Sequence, residues 1–202
     1  MTLDRLRPVA DRTLGPLVGA CASLGIGPNG VSVLAFLLAL AAAGSFVLAG
    51  ADPGLYAVGA VLVFLNGVLD LVDGALAREL GVDSRAGDLF DHVLDRYADI
   101  LVVAGLAAGI ERYALGFAAV TGVLMTSYLG TQAQAVGVDR VYGGLLGRAD
   151  RLALVGVAGA ASVVVTDPIR GLTLVGWLLV LFAVLGHTTA AQRFYYSMRA
   201  LG

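Results

Sequence analysis

The chain has 202 residues, of which 58% are hydrophobic and 14% charged, with a formal net charge of -2 and a mean hydropathy of +0.87. This composition excludes a soluble globular domain and indicates an integral membrane protein. All basic residues are arginine, and the single cysteine, Cys21, excludes an internal disulfide.

The first segment is charged on one side and apolar on the other. Apolar residues recur at helical spacing over residues 2–21, which predicts an amphipathic helix lying in the cytoplasmic membrane interface. A solvated terminus is the alternative interpretation. Charges between Asp4 and Arg12 interrupt any continuous apolar core, so we do not expect a cleaved signal peptide here.

Six apolar stretches follow, near residues 31–49, 55–77, 89–110, 113–136, 152–166 and 171–192. The fifth is short for a hydrocarbon core of about 30 Å, so we expect it to begin further back, near Leu145. The sequence therefore predicts an all-α integral membrane protein of one domain, residues 1–202. In it, six transmembrane helices spanning residues 31–192 follow the N-terminal interfacial helix.

The distribution of arginine predicts the orientation in the membrane. If the N-terminal arginines lie inside, eleven of the thirteen arginines fall on that side, and only Arg112 and Arg170 fall on the other. Such an excess is typical of cytoplasmic loops. We therefore expect both termini and the chemistry of the charged inner loops to face the cytoplasm of a multi-pass cell-membrane protein.

Four aspartates lie at fixed spacing where two apolar stretches meet. The chain reads D-L-V-D-G-A-L-A-R from Asp70 to Arg78 and, eight residues later, G-D-L-F-D-H-V-L-D from Gly87 to Asp95. Asp70 and Asp73 share one helix face, as do Asp91 and Asp95 on the next helix. The loop between the helices is short, so we expect antiparallel neighbours whose carboxylates converge.

Carboxylates near a membrane need a counter-charge, because each costs several kcal/mol in lipid. Four of them converging would hold two divalent ions through oxygen ligands. Small residues at Gly74, Ala77 and Gly87 would leave a groove for a bulky polar group, and Arg78 is placed to pair with a phosphate. Alternatively, the aspartates cap helices or pair with nearby arginines, namely Arg78, Arg85 and Arg96. The spacing and the interleaved glycines favour the metal site.

The pattern DxxDGxxAR, eight residues, GxxxDxxxD resembles the signature of the CDP-alcohol phosphotransferase family, also called class I CDP-alcohol phosphatidyltransferases. The resemblance implies transfer of a phosphatidyl-type group (diacylglycerol or archaeol phosphate) from a CDP-linked lipid to an alcohol, releasing CMP. It implies two Mg²⁺ or Mn²⁺ ions and a homodimer among membrane lipids, with no nucleic-acid partner. It also implies the residue roles: metal ligands Asp70, Asp73, Asp91 and Asp95; general base Asp95; CDP site Asp73, Gly74, Ala77, Arg78 and Gly87.

Three further arginines predict a site for the acceptor alcohol. Arg148 and Arg151 begin the fifth stretch and Arg193 ends the sixth, so we expect a second cluster that binds a phosphate on the acceptor. The sequence G-x-x-x-R-A-D-R-L resembles the inositol-phosphate branch of the family, whereas Ser127–Gln134 lacks the basic residues of that branch. Glycerol 3-phosphate and inositol phosphate are the expected acceptors. The alternatives are an unphosphorylated acceptor such as serine or inositol, and arginines that only set topology.

Two other side chains and two rival functions complete the sequence-based interpretation. Asp99 extends the Asp91–Asp95 stripe and could support Arg96 or a metal ligand, and His187 is expected to donate between helices. A membrane prenyltransferase also uses aspartate-rich motifs, but we expect those motifs far apart in the sequence. A divalent-cation carrier would have no use for Arg78 and the glycine groove.

Overall fold

The computed structural model describes residues 14–82, 84–138 and 146–202. Those residues form helices and connecting turns, which confirms the predicted all-α class. The helices are α1 (Gly15–Ser23), α2 (Pro28–Leu48), α3 (Leu55–Leu80), α4 (Arg85–Gly109), α5 (Tyr113–Ala135), α6 (Arg148–Ser162) and α7 (Leu174–Leu201).

The interfacial helix predicted over residues 2–21 falls mostly outside the described residues. Its last part is present as α1, which buries Val18 against Val31, Val72 and Leu76 of α2 and α3. Leu145, the expected start of the fifth stretch, also lies outside the described ranges. The helix that corresponds to the fifth stretch, α6, begins at Arg148 and ends at Ser162, whereas the apolar stretch extends to residue 166.

Four helices, α2, α3, α5 and α7, are long and apolar enough to cross a membrane. Helix α6 has 15 residues, or about 22 Å, which is shorter than a hydrocarbon core. Helix α4 carries charges on every turn of its first half, so its composition does not meet the same criterion. Length and composition therefore support four membrane-spanning helices, and the six that the sequence predicts stay a prediction.

Local sequence explains where the two acidic motifs are placed. Helix α3 ends at Leu80 and is capped by Gly81, whose left-handed φ of 62° suits a residue without a Cβ. Helix α4 begins after Ser84, whose hydroxyl accepts a hydrogen bond of 3.0 Å from the Gly87 backbone N–H. The intervening loop is therefore short, as expected, and both motifs lie beside it.

The six longer helices form a closed ring. Each packs on the next in the order α2, α4, α5, α7, α6, α3 and back to α2. Helices α3 and α4, although consecutive in the chain, do not pack on each other in the described structure. The expectation that α3 and α4 are neighbours was wrong, because α2 packs against both of them and separates them. The two acidic motifs consequently face each other across an open space.

One end of the ring is filled by an apolar core. Phe46, Leu106, Leu179 and Phe182 are fully buried there, together with small residues of the neighbouring helices. Helices α2 and α4 approach most closely in this region, since a Cβ on Gly105 would lie 2.6 Å from the carbonyl oxygen of Ala43. The filled end leaves the polar residues at the opposite end of the ring.

This close approach predicts that Gly105→Ala destabilises the fold. The added methyl group would collide with the α2 backbone, and we expect a cost of about 1–3 kcal/mol in the free energy of unfolding, typical of overpacking. Thermal unfolding in detergent measures it. Gly44→Ala is the matched control, because Gly44 has open space around its Cβ position. Equal stability of the two variants would contradict the close packing of α2 and α4.

Candidate active site

A large cleft occupies the polar end of the ring. Its volume is about 2100 Å³, and residues of α2 through α7 line it. The first turns of α2, α4 and α6 and the last turns of α3 and α5 border it, so charged groups distant in the sequence share one space. Both acidic motifs and all three predicted acceptor arginines contribute to its wall.

Three of the four predicted metal ligands converge in this cleft. One carboxylate oxygen from each of Asp70, Asp91 and Asp95 lies within 4.8 Å of the others. Three carboxylates this close repel one another unless a cation lies between them. Oxygen donors of this kind suit Mg²⁺ and Mn²⁺, so the residues present fit a divalent metal.

Asp73, the fourth predicted ligand, is not part of this group of three. It is buried, with 6% exposure, and its Oδ2 accepts a hydrogen bond of 2.8 Å from the hydroxyl of Ser32 on α2. Ser32 thereby fixes the orientation of Asp73 in the cleft wall. Helix α2 packs against both acidic helices, so its side chains are close enough to hydrogen-bond to Asp73.

Arg148 lies directly among the carboxylates. Its guanidinium contacts Asp70 Oδ1, and its Nη2 lies 2.7 Å from Asp95 Oδ1. Its Nε lies 3.8 Å from Asp99 Oδ1. The acidic cluster and the predicted acceptor cluster are therefore continuous, joined by one residue that contacts both acidic helices.

Arg151 and Arg193 are buried in the same cleft wall. Nη2 of Arg151 donates to Asp99 Oδ2 at 2.9 Å, and Nη1 of Arg193 donates to the carbonyl oxygen of Thr126 at 2.6 Å. Arg193 does not end the last helix, as the apolar pattern predicted. Helix α7 continues to Leu201, two turns beyond Arg193, which is the last buried residue of the helix.

The residues predicted to bind CDP line the cleft beside the acidic cluster. They are Asp73, Gly74, Ala77, Arg78 and Gly87. A Cβ on Gly74 would lie 3.5 Å from Arg78 Nη1, and one on Gly87 would lie 3.2 Å from the Ser84 hydroxyl. At both glycines, the atoms nearest to the Cβ position belong to side chains and not to a neighbouring backbone. A side chain added at either position would therefore occupy space in the cleft.

Sequence reasoning missed several hydroxyl groups that organise the cleft. Ser32 is the one hydroxyl in the first half of an otherwise apolar helix, which was a usable signal. The hydroxyl of Ser127 on α5 accepts a hydrogen bond from the guanidinium of Arg96 on α4. Thr126 Oγ1 donates to the carbonyl oxygen of Gly186 at 2.9 Å and joins α5 to α7. Nothing in the local pattern of α5 distinguished these contacts from ordinary packing.

Comparison with known proteins matches this geometry. The family model for CDP-alcohol phosphatidyltransferase matches residues 26–188. The chain belongs to the CDP-alcohol phosphatidyltransferase family. It is therefore a membrane transferase of phospholipid biosynthesis, from a family that uses a CDP-linked lipid and an alcohol. Membership decides against the prenyltransferase and the cation carrier.

Relatives within the CDP-alcohol phosphatidyltransferase family are similar over nearly the whole chain. The archaetidylinositol phosphate synthase of Pyrococcus horikoshii is 29% identical and covers 98% of both proteins. The phosphatidylinositol phosphate synthase of Mycobacterium tuberculosis with CDP-DAG bound superimposes with a TM-score of 0.79 at 26% identity, covering 92% of this chain and 94% of that one. The same synthase in complex with manganese and citrate gives a TM-score of 0.78, with 91% and 88% covered.

The two cleft glycines generate a prediction about the CDP-lipid. Gly74→Leu and Gly87→Leu should leave the protein folded, because their Cβ positions are clear of neighbouring backbone, but should abolish binding of CDP-diacylglycerol by filling the cleft. Equilibrium binding of the lipid to purified protein measures the effect. Gly19→Leu is a control, since Gly19 has open space and does not line the cleft. Unchanged affinity in both cleft variants would contradict this placement.

Proposed function

We propose that this enzyme transfers a phosphatidyl-type group from a CDP-linked lipid to the hydroxyl of a phosphorylated polyol, with inositol phosphate as the first candidate and glycerol 3-phosphate as the second. The observation that carries the proposal is the burial of Arg151 and Arg193, with Arg148, in the cleft that holds the acidic cluster. The names of the relatives in Pyrococcus and Mycobacterium support inositol phosphate.

The three arginines favour an acceptor that carries its own charge. Charge-assisted bonds to phosphate are among the strongest that arginine makes, and all three guanidinium groups line the cleft. Side chains that only set topology would extend to the membrane surface instead. Arg151 is 8% exposed and Arg193 is 6% exposed, so neither extends into solvent.

The reaction follows from the placement of the acidic residues. The acceptor hydroxyl would attack the lipid-side phosphorus of the CDP-lipid, forming the new P–O bond as the bond to CMP breaks. Asp95 would take the hydroxyl proton, because it lies in the cluster and its carboxylate is oriented by Arg148 at 2.7 Å. Arg78 would bind a phosphate of the nucleotide beside Gly74.

The aspartates would hold two divalent ions, Mg²⁺ or Mn²⁺. Asp70, Asp91 and Asp95 supply the converging oxygens, and Asp73 would complete the ligand set from its Ser32-oriented position. When bound, such ions neutralise the charge of a diphosphate and stabilise CMP as leaving group. The complex of the mycobacterial relative with manganese supports this assignment.

The lipid tails would leave the cleft sideways between helices. Apolar residues continue its lining away from the aspartates along α3 and α6, among them Val61, Phe64 and Val157, all of which are exposed. A polar headgroup at the acidic end and alkyl chains along this wall would match the two halves of a CDP-lipid. The cytoplasmic orientation of the cleft and a homodimer stay predictions.

The metal assignment predicts loss of activity when any cluster carboxylate is neutralised. Asp70→Asn or Asp91→Asn should reduce CMP release at least about 100-fold, or about 2.7 kcal/mol of transition-state stabilisation, because the charge of the metal site is unbalanced. Asp95→Asn should be equally inactive. Among these variants it should retain the most Mn²⁺ binding, because Asp95 has the additional role of removing the hydroxyl proton.

Activity and Mn²⁺ binding are measured on the same purified variants. Glu79→Gln is the control, because Glu79 is an exposed carboxylate that does not line the cleft. Excess chelator should abolish turnover of the wild type, and added Mg²⁺ or Mn²⁺ should restore it. Robust turnover by Asp70→Asn, or full activity in chelator, would refute the assignment.

The acceptor assignment predicts a selective rise in KM. Arg193→Ala should raise the KM for inositol 1-phosphate roughly ten- to over a hundred-fold, because one charge-assisted bond is worth ~1.5–3 kcal/mol. The KM for CDP-diacylglycerol should change little. Arg148→Ala should raise the acceptor KM and also impair turnover, because Arg148 contacts Asp70 and Asp95.

A panel of acceptors tests the same assignment without mutation. CMP release is followed with inositol 1-phosphate, glycerol 3-phosphate, inositol and serine, and we expect only the phosphorylated compounds to be good substrates. Arg199→Ala, an exposed arginine in the last turn of α7, is the matched control for Arg193. Better turnover with inositol or serine would show that the arginines do not bind an acceptor phosphate.

A further inference from the structure

One buried carboxylate behind the cleft wall has no part in the reaction as proposed. Asp99 lies on α4 one turn beyond Asp95 and is 6% exposed, yet it is not in the group of three converging carboxylates. A buried carboxylate costs free energy unless its partners compensate its charge. The identity of those partners therefore indicates what Asp99 does.

Asp99 faces three guanidinium groups. Its Oδ2 accepts from Arg151 Nη2 at 2.9 Å and lies 3.2 Å from Arg96 Nη1. Its Oδ1 lies 3.8 Å from Arg148 Nε. The same nitrogen of Arg96, Nη1, also donates to the hydroxyl of Ser127 on α5. A single carboxylate thus fixes arginines from two helices at the edge of the cleft.

These contacts leave the arginines able to bind a ligand. A guanidinium carries five N–H donors, and Arg151 uses one nitrogen on Asp99. Arg148 and Arg151 both line the cleft, so donors of Arg151 that are not used on Asp99 can reach a ligand bound there. Side chains held in place before binding lose less conformational freedom when the ligand arrives.

We propose that Asp99 is a positioning residue for the acceptor phosphate: it holds Arg151, and with it Arg148 and Arg96, in the orientation that binds the phosphate. This inference rests on the proposed phosphorylated acceptor. It assigns Asp99 to acceptor binding and separates it from metal binding, although it continues the stripe of Asp91 and Asp95 along one helix face.

A purely structural role would have a different consequence. Helices α4 and α6 do not pack on each other in the described structure, so the Asp99–Arg151 pair also bridges them. If bridging were its whole role, loss of Asp99 would affect both substrates and turnover alike. If Asp99 positions arginines, the loss affects the acceptor selectively and depends on Arg151 being present.

A double-mutant cycle separates these roles. Asp99→Asn, Arg151→Gln and the double variant are compared in the full chain by the KM for inositol 1-phosphate, the KM for CDP-diacylglycerol, and kcat. We expect Asp99→Asn to raise the acceptor KM about ten-fold or more, with the lipid KM within about two-fold of wild type. The double variant should be no worse than Arg151→Gln alone, because Asp99 acts through Arg151.

Folding does not limit the test. The double variant removes both charges of the pair, so neither Asp99 nor Arg151 is left buried without the other, and its comparison with Arg151→Gln decides the question even if Asp99→Asn alone does not fold. Asp99→Glu keeps the charge and should recover part of the acceptor affinity. Glu79→Gln controls for removal of one carboxylate from the protein.

The outcomes distinguish this inference from the proposed function. Additive effects of the two substitutions, or equal increases in both KM values, would overturn the role of Asp99 while leaving the phosphorylated acceptor intact. Failure of wild type to use inositol 1-phosphate or glycerol 3-phosphate would instead overturn the proposed function, and the role of Asp99 with it.

Discussion

The structure depends on positive charge that compensates a cluster of carboxylates inside a membrane protein. Three carboxylates within 4.8 Å of one another are stable only beside positive charge, and Arg148 provides part of it by contacting both acidic helices. Removing one partner from such a buried set leaves the others uncompensated, which costs more than the pair itself contributes. The cleft is therefore specified as a whole, and its acidic and basic residues must be placed together.

The ring of helices meets this requirement by keeping two kinds of packing at opposite ends. At the filled end, glycine lets backbones touch, as Gly105 does at Ala43, and aromatic side chains occupy the remaining space. At the cleft end, α2 keeps α3 and α4 apart, so their carboxylates meet across a space large enough for a substrate. A tightly packed end thus makes it possible for the other end to stay open and polar.

The sequence was sufficient to predict the family and most of the helices, because the acidic motifs and apolar stretches are local patterns. It placed Asp70, Asp91 and Asp95 together correctly, and it identified His187 as a donor between helices, which contacts the Ala118 carbonyl at 3.2 Å. It was wrong in making α3 and α4 direct neighbours, since a short loop fixes the distance between helix ends and not what packs between the helices. The hydroxyl of Ser32 was missed because its partner lies forty-one positions away.

Arg148 shows why contacts between clusters were beyond prediction from spacing. Periodicity places a residue on a helix face, but the direction of a long side chain depends on which charges surround it in the fold. From the sequence, Arg148 belonged with Arg151 and Arg193, and the aspartates formed a separate group. In the structure it reaches Asp70 and Asp95 while Arg151 reaches Asp99, so neighbouring arginines on α6 bind different acids. An acceptor phosphate bound by both arginines would therefore lie beside Asp95, the proposed general base, which is the proximity that transfer to the CDP-lipid requires.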